Sequence, residues 1–442
     1  MLAHLPDGPR FAPLQTFLFF RDTDRYFREG VQRYGDPFTV PLAFATAVVT
    51  GSADGIKEIC TADPDTFEPF GTDPLGPIIG EHSLILLSGA AHKRERKLLM
   101  PPFHGERMRA YGALMQRVTE ERVARLRPGA PFDAQALTEA ISLDIIIQAI
   151  FGVVDPARVE RFRAAVHESL AATSPLFLMF GFLRRPLFGI GPWDRFQRAS
   201  AAVDRLMQEE IEARRRDGAD REDILSLLLS ARDEAGQPLT DSELKDELRT
   251  MILAGHETTA ISMAWALSWL HRTPAVKSAL ADELAALGPA PEPEKLAKLP
   301  YLDAVCSEAL RIHPVLPFIA RRAVRPFSLR GVDIAPGTGV IGSIFLAHAN
   351  PAVFPSPDQF RPERFLERKF SPFEYFPFGG GSRRCLGAAF ALYEMKIALG
   401  TLMARHRLVL ASDRPIRPVR RNVTFGPEGG VPMVYRGAAA EA

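Results

Sequence analysis

Phe378-Gly379-Gly380-Gly381-Ser382-Arg383-Arg384-Cys385-Leu386-Gly387 is the stretch on which the reading of the fold turns. Its consecutive glycines let the backbone turn tightly and come close to a flat ligand. The run that follows, Ala388 to Leu402, carries Leu392, Met395, Leu399 and Leu402 at helical spacing. Cys385 therefore lies just before a helix N-terminus, where unpaired N–H groups and the helix dipole stabilise a thiolate. Arg383, two residues earlier, supplies a cation suited to a ligand carboxylate. The plainer reading is a buried free cysteine, and it is preferred for Cys60 and Cys306. The pattern around Cys385 sets that residue apart.

Outward from this loop, the chain has 442 residues, 46% of them hydrophobic. Its mean hydropathy is near zero, which suits a globular protein with a large core. Fifty-four basic residues against 53 acidic ones give a net charge of +1, which argues against a dedicated nucleic-acid binder. The three cysteines show no C-x-x-C spacing and no even set, so no disulfide framework is expected and a reducing compartment fits. No stretch reaches about 18 uninterrupted apolar residues, the minimum for a spanning helix. Met1 to Arg10 lacks a basic segment ahead of an apolar one, so no signal peptide is read. The chain is expected in the cytoplasm, without a stable membrane anchor.

Along the chain there is no internal repeat and no low-complexity linker. A helix-like run, Leu14 to Arg33, precedes β-branched stretches between Phe38 and Thr50; Ala110 to Trp269 is mostly helical in pattern. The last third alternates helices with Pro-rich extended runs, for example Val324 to Val340 and Phe370 to Phe378. The pattern predicts a mainly α fold with a small β-rich lobe. One helix stands out. Thr240-Asp241-Ser242-Glu243 has the form of a capping box, and Pro274 stops the run beyond Trp269. About 30 residues at 1.5 Å each give roughly 45 Å, enough to cross a domain. Its second half is apolar on nearly every side and so belongs in a core, yet Gly255, His256, Glu257, Thr258 and Thr259 sit in the middle of it. Glycine beside hydroxyl residues suggests a kink, and a buried acid there needs a reason.

The ten residues that open this reading match the haem-binding signature of the cytochrome P-450 superfamily, with Cys385 at its iron ligand. Three further motifs follow in the family's order. Glu308-Ala309-Leu310-Arg311 resembles its Glu-x-x-Arg motif; i and i+3 share a helix face, so Glu308 and Arg311 can pair. Pro362-Glu363-Arg364-Phe365 resembles the segment whose arginine, here Arg364, completes a buried structural triad. Ala254 to Thr259 is similar to the oxygen-binding stretch of the family's long central helix. Thr258 falls on the position that hydrogen-bonds dioxygen and Glu257 on its acidic neighbour, so the pair is the candidate proton relay. For His256 a structural role is preferred. His92 and Arg96, one turn apart, match a propionate-binding pair, and Arg321 another such position, with Arg322 one register away. Phe378, Arg383 and Gly387 complete the expected contacts with the cofactor.

The resemblance covers about residues 5–435, with 436–442 expected as a flexible tail, and implies a single domain with haem b between the long helix and the cysteine loop. It implies a monomeric monooxygenase that uses O2, two electrons and two protons to hydroxylate a substrate. Electrons would come from a ferredoxin or flavodoxin, since the chain carries no flavin or nicotinamide fingerprint. Lys93, Arg94, Lys97 and Arg384 are the expected docking cations. Segments matching the family's pocket regions are apolar and predict a lipophilic substrate, such as a fatty acid, alkane or terpenoid. They supply Ile78, Ile79, Phe177, Phe180, Leu253, Ala254, Leu316, Phe318, Val423 and Phe425, and the stretch from Ser174 to Phe196 adds Phe188 and Trp193. Arg184 and Arg185 suit a carboxylate at the entrance. Two rival readings are a peroxygenase or isomerase of the same fold, and a non-catalytic haem sensor. Retention of Glu257 and Thr258 argues against both.

Overall fold

The computed structural model describes residues 5–103, 107–174, 181–217, 221 and 223–439. About 55% of the chain is helical, with small sheets. The chain divides into two compact units: 1–70, 119–139 and 258–442 in the first, 71–118 and 140–257 in the second. The division falls within the helices Arg107–Val123, Ala134–Phe151 and Asp241–Arg272.

All the described strands belong to the first unit. Its main sheet has five strands in the order Phe38–Leu42, Ala45–Thr50, Gly339–Ser343, Phe318–Ala323, Phe67–Pro69. The first two form an antiparallel hairpin, with Phe38 opposite Val49 and Leu42 opposite Ala45. The β-branched pattern seen in the sequence is the signature of that hairpin, because branched side chains pack well on a pleated surface. Against it lie two helices, Ala12–Arg21 and Thr23–Tyr34, where the sequence suggested one run. Asp22 separates them: its carboxylate accepts the Arg25 N–H at 3.0 Å and caps the second. Phe19, Tyr26 and Phe27 bury their rings with Phe38, Val40, Val49 and Ile341. The strand Pro432–Ala438 pairs with His406–Leu410, and Ala438 stands opposite His406. Residues 436–438, expected as tail, are therefore part of a sheet; 440–442 lie outside the described residues.

The second unit is helical. Its longest complete helix, Pro192–Asp217, packs on Pro156–Ala172. Arg214 ties the end of that helix down, donating to the Asp223 carboxylate at 2.6 Å and to the Phe151 carbonyl at 2.5 Å. Both charges are buried, so each needs the other.

The long helix runs over Asp241–Arg272, 32 residues. Both arms of its capping box form: the Thr240 N–H donates to Glu243 Oε2 at 2.7 Å, and the Glu243 N–H to Thr240 Oγ1 at 3.3 Å. The helix continues unbroken through Gly255. A Cβ at Gly255 would stand 3.2 Å from Ile146 Cδ1, so close packing on the neighbouring helix accounts for the glycine. Ala134–Phe151 is the one helix among the described residues long and apolar enough to cross a membrane, and 83% of it is buried within the protein.

Candidate functional site

The cysteine loop is built by short backbone bonds. The Gly379 N–H donates to the Phe376 carbonyl at 2.9 Å, and the Cys385 N–H returns to the Phe378 carbonyl at 2.9 Å. Gly379 and Gly381 have φ of 67° and 66°, a region that side chains rarely adopt. Gly380 and Gly381 also answer to a neighbour. A Cβ there would stand 2.5 Å from Cys60 Sγ and 2.2 Å from the Cys60 carbonyl, so the helix Ala53–Thr61 seats the loop. Three residues after Cys385 begins the 18-residue helix Ala388–Arg405, with Gly387 at its N-cap. The Cys385 side chain is exposed, whereas Cys306 is buried and Cys60 half-buried. Burial pushes the Cys60 and Cys306 thiols up, away from thiolate.

Beside this loop two guanidiniums converge. Arg321, on the strand Phe318–Ala323, is pushed down to about 10 by burial and by the charge of Arg383. No carboxylate pairs with Arg321 among the described residues; its Nη1 donates to the Ala320 carbonyl at 2.8 Å. Its neighbour Arg322 instead pairs with Glu68 at 2.9 Å. A half-buried Arg321 with no paired carboxylate among the described residues suits a ligand that carries its own carboxylates. No group of three or more His, Cys, Asp or Glu gathers to hold a bare metal among the described residues. A single exposed sulfur before a helix, with two arginines beside it, instead fits an iron that arrives with its own ring of ligands and its own anions. The residues present thus fit haem.

Behind the loop, Glu308, Arg311 and Arg364 meet, each at most 3% exposed. Arg311 grips Glu308 through Nε at 2.7 Å and Nη2 at 2.8 Å, and Arg364 Nε reaches Glu308 Oε1 at 3.1 Å. The arginines spend their remaining donors on the carbonyls of His348, Pro355, Pro357 and Gln359, and so hold that irregular segment to the helix Pro300–Ile312. His348 is a residue the motifs did not reveal. Its carbonyl accepts from Arg311, and its Nε2 accepts the Phe376 N–H at 3.1 Å, linking the triad to the start of the cysteine loop. Burial and the Arg311 charge push it down to about 3, so the ring stays neutral and able to accept. No local spacing marks His348, because its partners lie 28 and 37 residues away.

The remaining predicted residues are placed as follows. Thr258 and Glu257 are consecutive on the long helix and half-buried; the Thr258 carbonyl accepts from Ser262 Oγ at 2.9 Å. His256 is buried, its Nδ1 2.7 Å from the Ile252 carbonyl, and burial lowers its pKa. On the helix Gly89–Leu99, His92 is buried and Arg96 half-buried. Of the apolar set, Ile79 is buried and Ile78 packs against Ala172, Phe196 and Ala199. Leu253 is half-buried and Ala254 exposed. Phe318 spends its ring on Phe19 and Phe27, and Phe425 on Phe345 and Arg420, so both do packing work. Leu316 and Val423 are exposed at 42% and 49%. Phe177 and Phe180 lie outside the described residues. Phe188 stands in solvent. A cavity of about 520 Å3 is lined by Trp265, Trp269, His313, His348 and Phe425. Of the expected pocket residues it takes Phe425 alone.

Of the four expected docking cations, Lys93 and Arg384 are exposed and two are paired. Arg94 contacts Glu95, Asp233 and Glu243, and Lys97 contacts Glu234 at 2.7 Å.

Comparison with known proteins accounts for this arrangement. The family model described as cytochrome P450 matches residues 6–431. A protein of Mycobacterium tuberculosis named only by family, cytochrome P450 135A1, is 36% identical over 96% of this chain and 94% of its own. Cytochrome P450 137 of the same organism is 32% identical over 97% of this chain and 89% of its own. Among solved structures, a retinoic-acid-bound cyanobacterial relative superposes with a TM-score of 0.85 at 25% identity, covering 98% of this chain and all of that one. The haem domain of cytochrome P450DA has the same fold, with a TM-score of 0.85 at 23% identity over 98% of this chain and 97% of that one. The family carries haem b on a cysteine thiolate and works with O2 and redox partners. The chain belongs to the cytochrome P450 family and is a haem-thiolate monooxygenase.

Proposed function

We propose that Cys385 is the thiolate ligand and that this enzyme hydroxylates a lipophilic substrate with electrons from a ferredoxin and its reductase. The observation that supports the ligand assignment is the built loop, in which the Cys385 N–H closes on the Phe378 carbonyl at 2.9 Å, glycines take positive φ, and a helix begins three residues on. By resemblance, Arg321, Arg383, His92 and Arg96 would hold the propionates, and Phe378 and Gly387 would border the ring. Haem bound there supplies the oxygen chemistry: one atom of O2 enters the substrate, the other leaves as water, and two electrons and two protons are consumed. The protein's share is to hold and move those protons. Thr258 Oγ1 offers a donor at the reacting centre, and the Glu257 carboxyl passes protons inward from solvent. Glu308, Arg311 and Arg364 act only by fixing the segment behind the thiolate.

The substrate is held by shape. Ile78, Ile79 and Leu253 offer apolar surface, and burying hydrocarbon against it is favourable by about 25 cal/mol per Å2. The retinoic acid carried by the cyanobacterial relative, an apolar chain ending in a carboxylate, has the chemistry proposed here. The enzyme is proposed to act as a monomeric single domain in the cytoplasm. The test is spectral. Purified enzyme is titrated with fatty acids, terpenoids, sugars and amino acids, and hits are assayed for product with a ferredoxin system and NADPH. The apolar compounds should shift the haem toward high spin and yield hydroxylated product. A shift with sugars or amino acids alone would overturn the apolar pocket.

A further inference from the structure

Three consecutive glycines open the cysteine loop, and each meets a neighbour that leaves no room for a side chain. A Cβ on Gly379 would stand 3.2 Å from Ile319 Cγ2, one on Gly380 2.5 Å from Cys60 Sγ, and one on Gly381 2.2 Å from the Cys60 carbonyl. The loop thus rests on two residues, an isoleucine of the strand Phe318–Ala323 and a cysteine of the helix Ala53–Thr61. Cys60 meets it twice, once with its side chain and once with its backbone. Cys60 is itself held in place. Ser52 caps its helix by accepting the Gly55 N–H at 3.2 Å, and Ile56 and Ile59 are buried on the same helix. The Cys60 side chain packs against two cores at once, one containing Ile59 and Ile319, the other Ile56 and Phe376. Phe376 begins the loop, since its carbonyl accepts the Gly379 N–H at 2.9 Å.

A shift at these glycines is passed on to the ligand. The Arg384 N–H is tied to the Gly381 carbonyl at 3.2 Å, and the Cys385 N–H to the Phe378 carbonyl at 2.9 Å, so the two ends of the loop move together. Cys60 is in no disulfide and works here as a small apolar body. Interiors packed this closely respond to a single methylene more or less. We propose that Cys60 is a positioning residue for the iron ligand: its volume sets where the glycine loop, and with it Cys385, comes to rest. A larger side chain pushes on a loop that has no room to yield, and a smaller one leaves Gly380 unsupported. In both cases the thiolate is held less firmly against the iron. The proposal rests on the assignment of Cys385 as ligand and adds to it a residue that no motif marks.

The experiment compares full-length holoenzymes of the wild type, Cys60→Ala, Cys60→Ser, Cys60→Val and Ile59→Ala. Two quantities are read: the midpoint potential of the iron, and the rate at which the reduced carbon monoxide band is lost in urea. Urea is held at the same fraction of each protein's own unfolding midpoint, so that global stability is factored out. Cys60→Ala should form the band, lose it severalfold faster than the wild type and shift the potential. Cys60→Ser restores most of the volume and should bring both readouts back toward the wild type. Cys60→Val overfills the site and should be affected most. Ile59→Ala opens a gap in the same helix away from Gly379 and Gly380, so it should lower Tm and leave both readouts alone. Cys60→Ala with the wild-type potential and rate overturns the proposal. So does Ile59→Ala moving both readouts as far as Cys60→Ala, because the residue would then act through stability alone. Cys385→Ser separates the two assignments. A band that survives in it removes the ligand, whereas a band lost in it, with Cys60→Ala unaltered, removes only the role of Cys60.

Discussion

A buried charge is stable only while its partners are present, and Glu308 has two. With no exposed surface and bonds from Arg311, Arg364 and the Arg361 N–H, it is the hub of the first unit's polar interior. Glu308→Ala leaves two guanidiniums in a core without an anion, a change that costs about 3–5 kcal/mol. Calorimetry should therefore show a large fall in Tm and loss of haem from whatever folds; a Tm within a degree or two of wild type would contradict the hub role. Thr258 makes the opposite prediction. Half-buried and outside any ion pair that holds the fold, its hydroxyl is proposed to work on protons. Thr258→Ala should keep its Tm and haem content but release peroxide, with product per NADPH falling severalfold; unchanged coupling would remove the assignment. The pairing of Glu308 with Arg311 was legible in sequence because it depends on residue type at i and i+3, whereas Arg364, 56 residues from Glu308, was readable only through the resemblance of its own segment. His348 and Cys60 were not. What they do depends on chain brought from far away: Phe376 to the ring of one, Gly380 and Gly381 to the other.

At the scale of elements, the first half of the long helix clasps the loop before Gly89–Leu99. Asp246 Oδ2 accepts the His82 N–H at 3.1 Å, Glu247 Oε1 accepts the Leu84 N–H at 2.7 Å, and Thr250 Oγ1 donates to Ser83 Oγ at 2.8 Å. Burial pushes Glu247 up to about 8 against the pull of the Leu84 N–H, and the carboxylates of Glu95, Asp246 and Glu243 push the same way. Burial and Glu243 likewise push Glu95 up to about 7, although Arg94 and, more weakly, His82 oppose it, and Glu95 Oε2 is buried without a partner. The sign follows from linkage. Near and below the ordinary value of 4.5, folded and unfolded chains both hold the Glu247 proton and stability is full. As pH rises toward 8 the unfolded chain sheds it and the folded one keeps it, so stability falls until the folded group ionises too. Glu247→Gln keeps an acceptor for Leu84 and removes the titration. Its Tm should decline less than the wild type's between pH 5 and pH 8, and parallel declines would sink the idea. The helix itself was readable from its capping box and its apolar half. The clasp was not, because its partners lie 163 and more residues apart and nothing local announces them.

At the scale of the molecule, the mainly helical pattern, the strand-forming stretches and the order of motifs were all present in the sequence. They reappear as helices over about 55% of the chain and a five-stranded sheet. The surroundings of the expected docking and pocket residues are set by neighbours that the sequence does not announce. Arg94 is locked among three acids and is not an open docking cation. Phe318 and Phe425 fill cores, since an aromatic ring is worth more buried against rings than held ready for a ligand. Phe188 points into solvent. Exposure is decided by tertiary neighbours, and composition alone gives an apolar stretch no direction. The central claim is that one exposed cysteine, poised before a helix in a loop whose glycines rest on Cys60, makes the whole chain a haem-thiolate enzyme. Its most direct test is the absorption spectrum of reduced, carbon-monoxide-treated protein, wild type beside Cys385→Ser. The account predicts the thiolate band that names the family in the wild type and its loss in the variant, with Cys60 and Cys306 unable to replace it. Persistence of that band in Cys385→Ser would contradict the account.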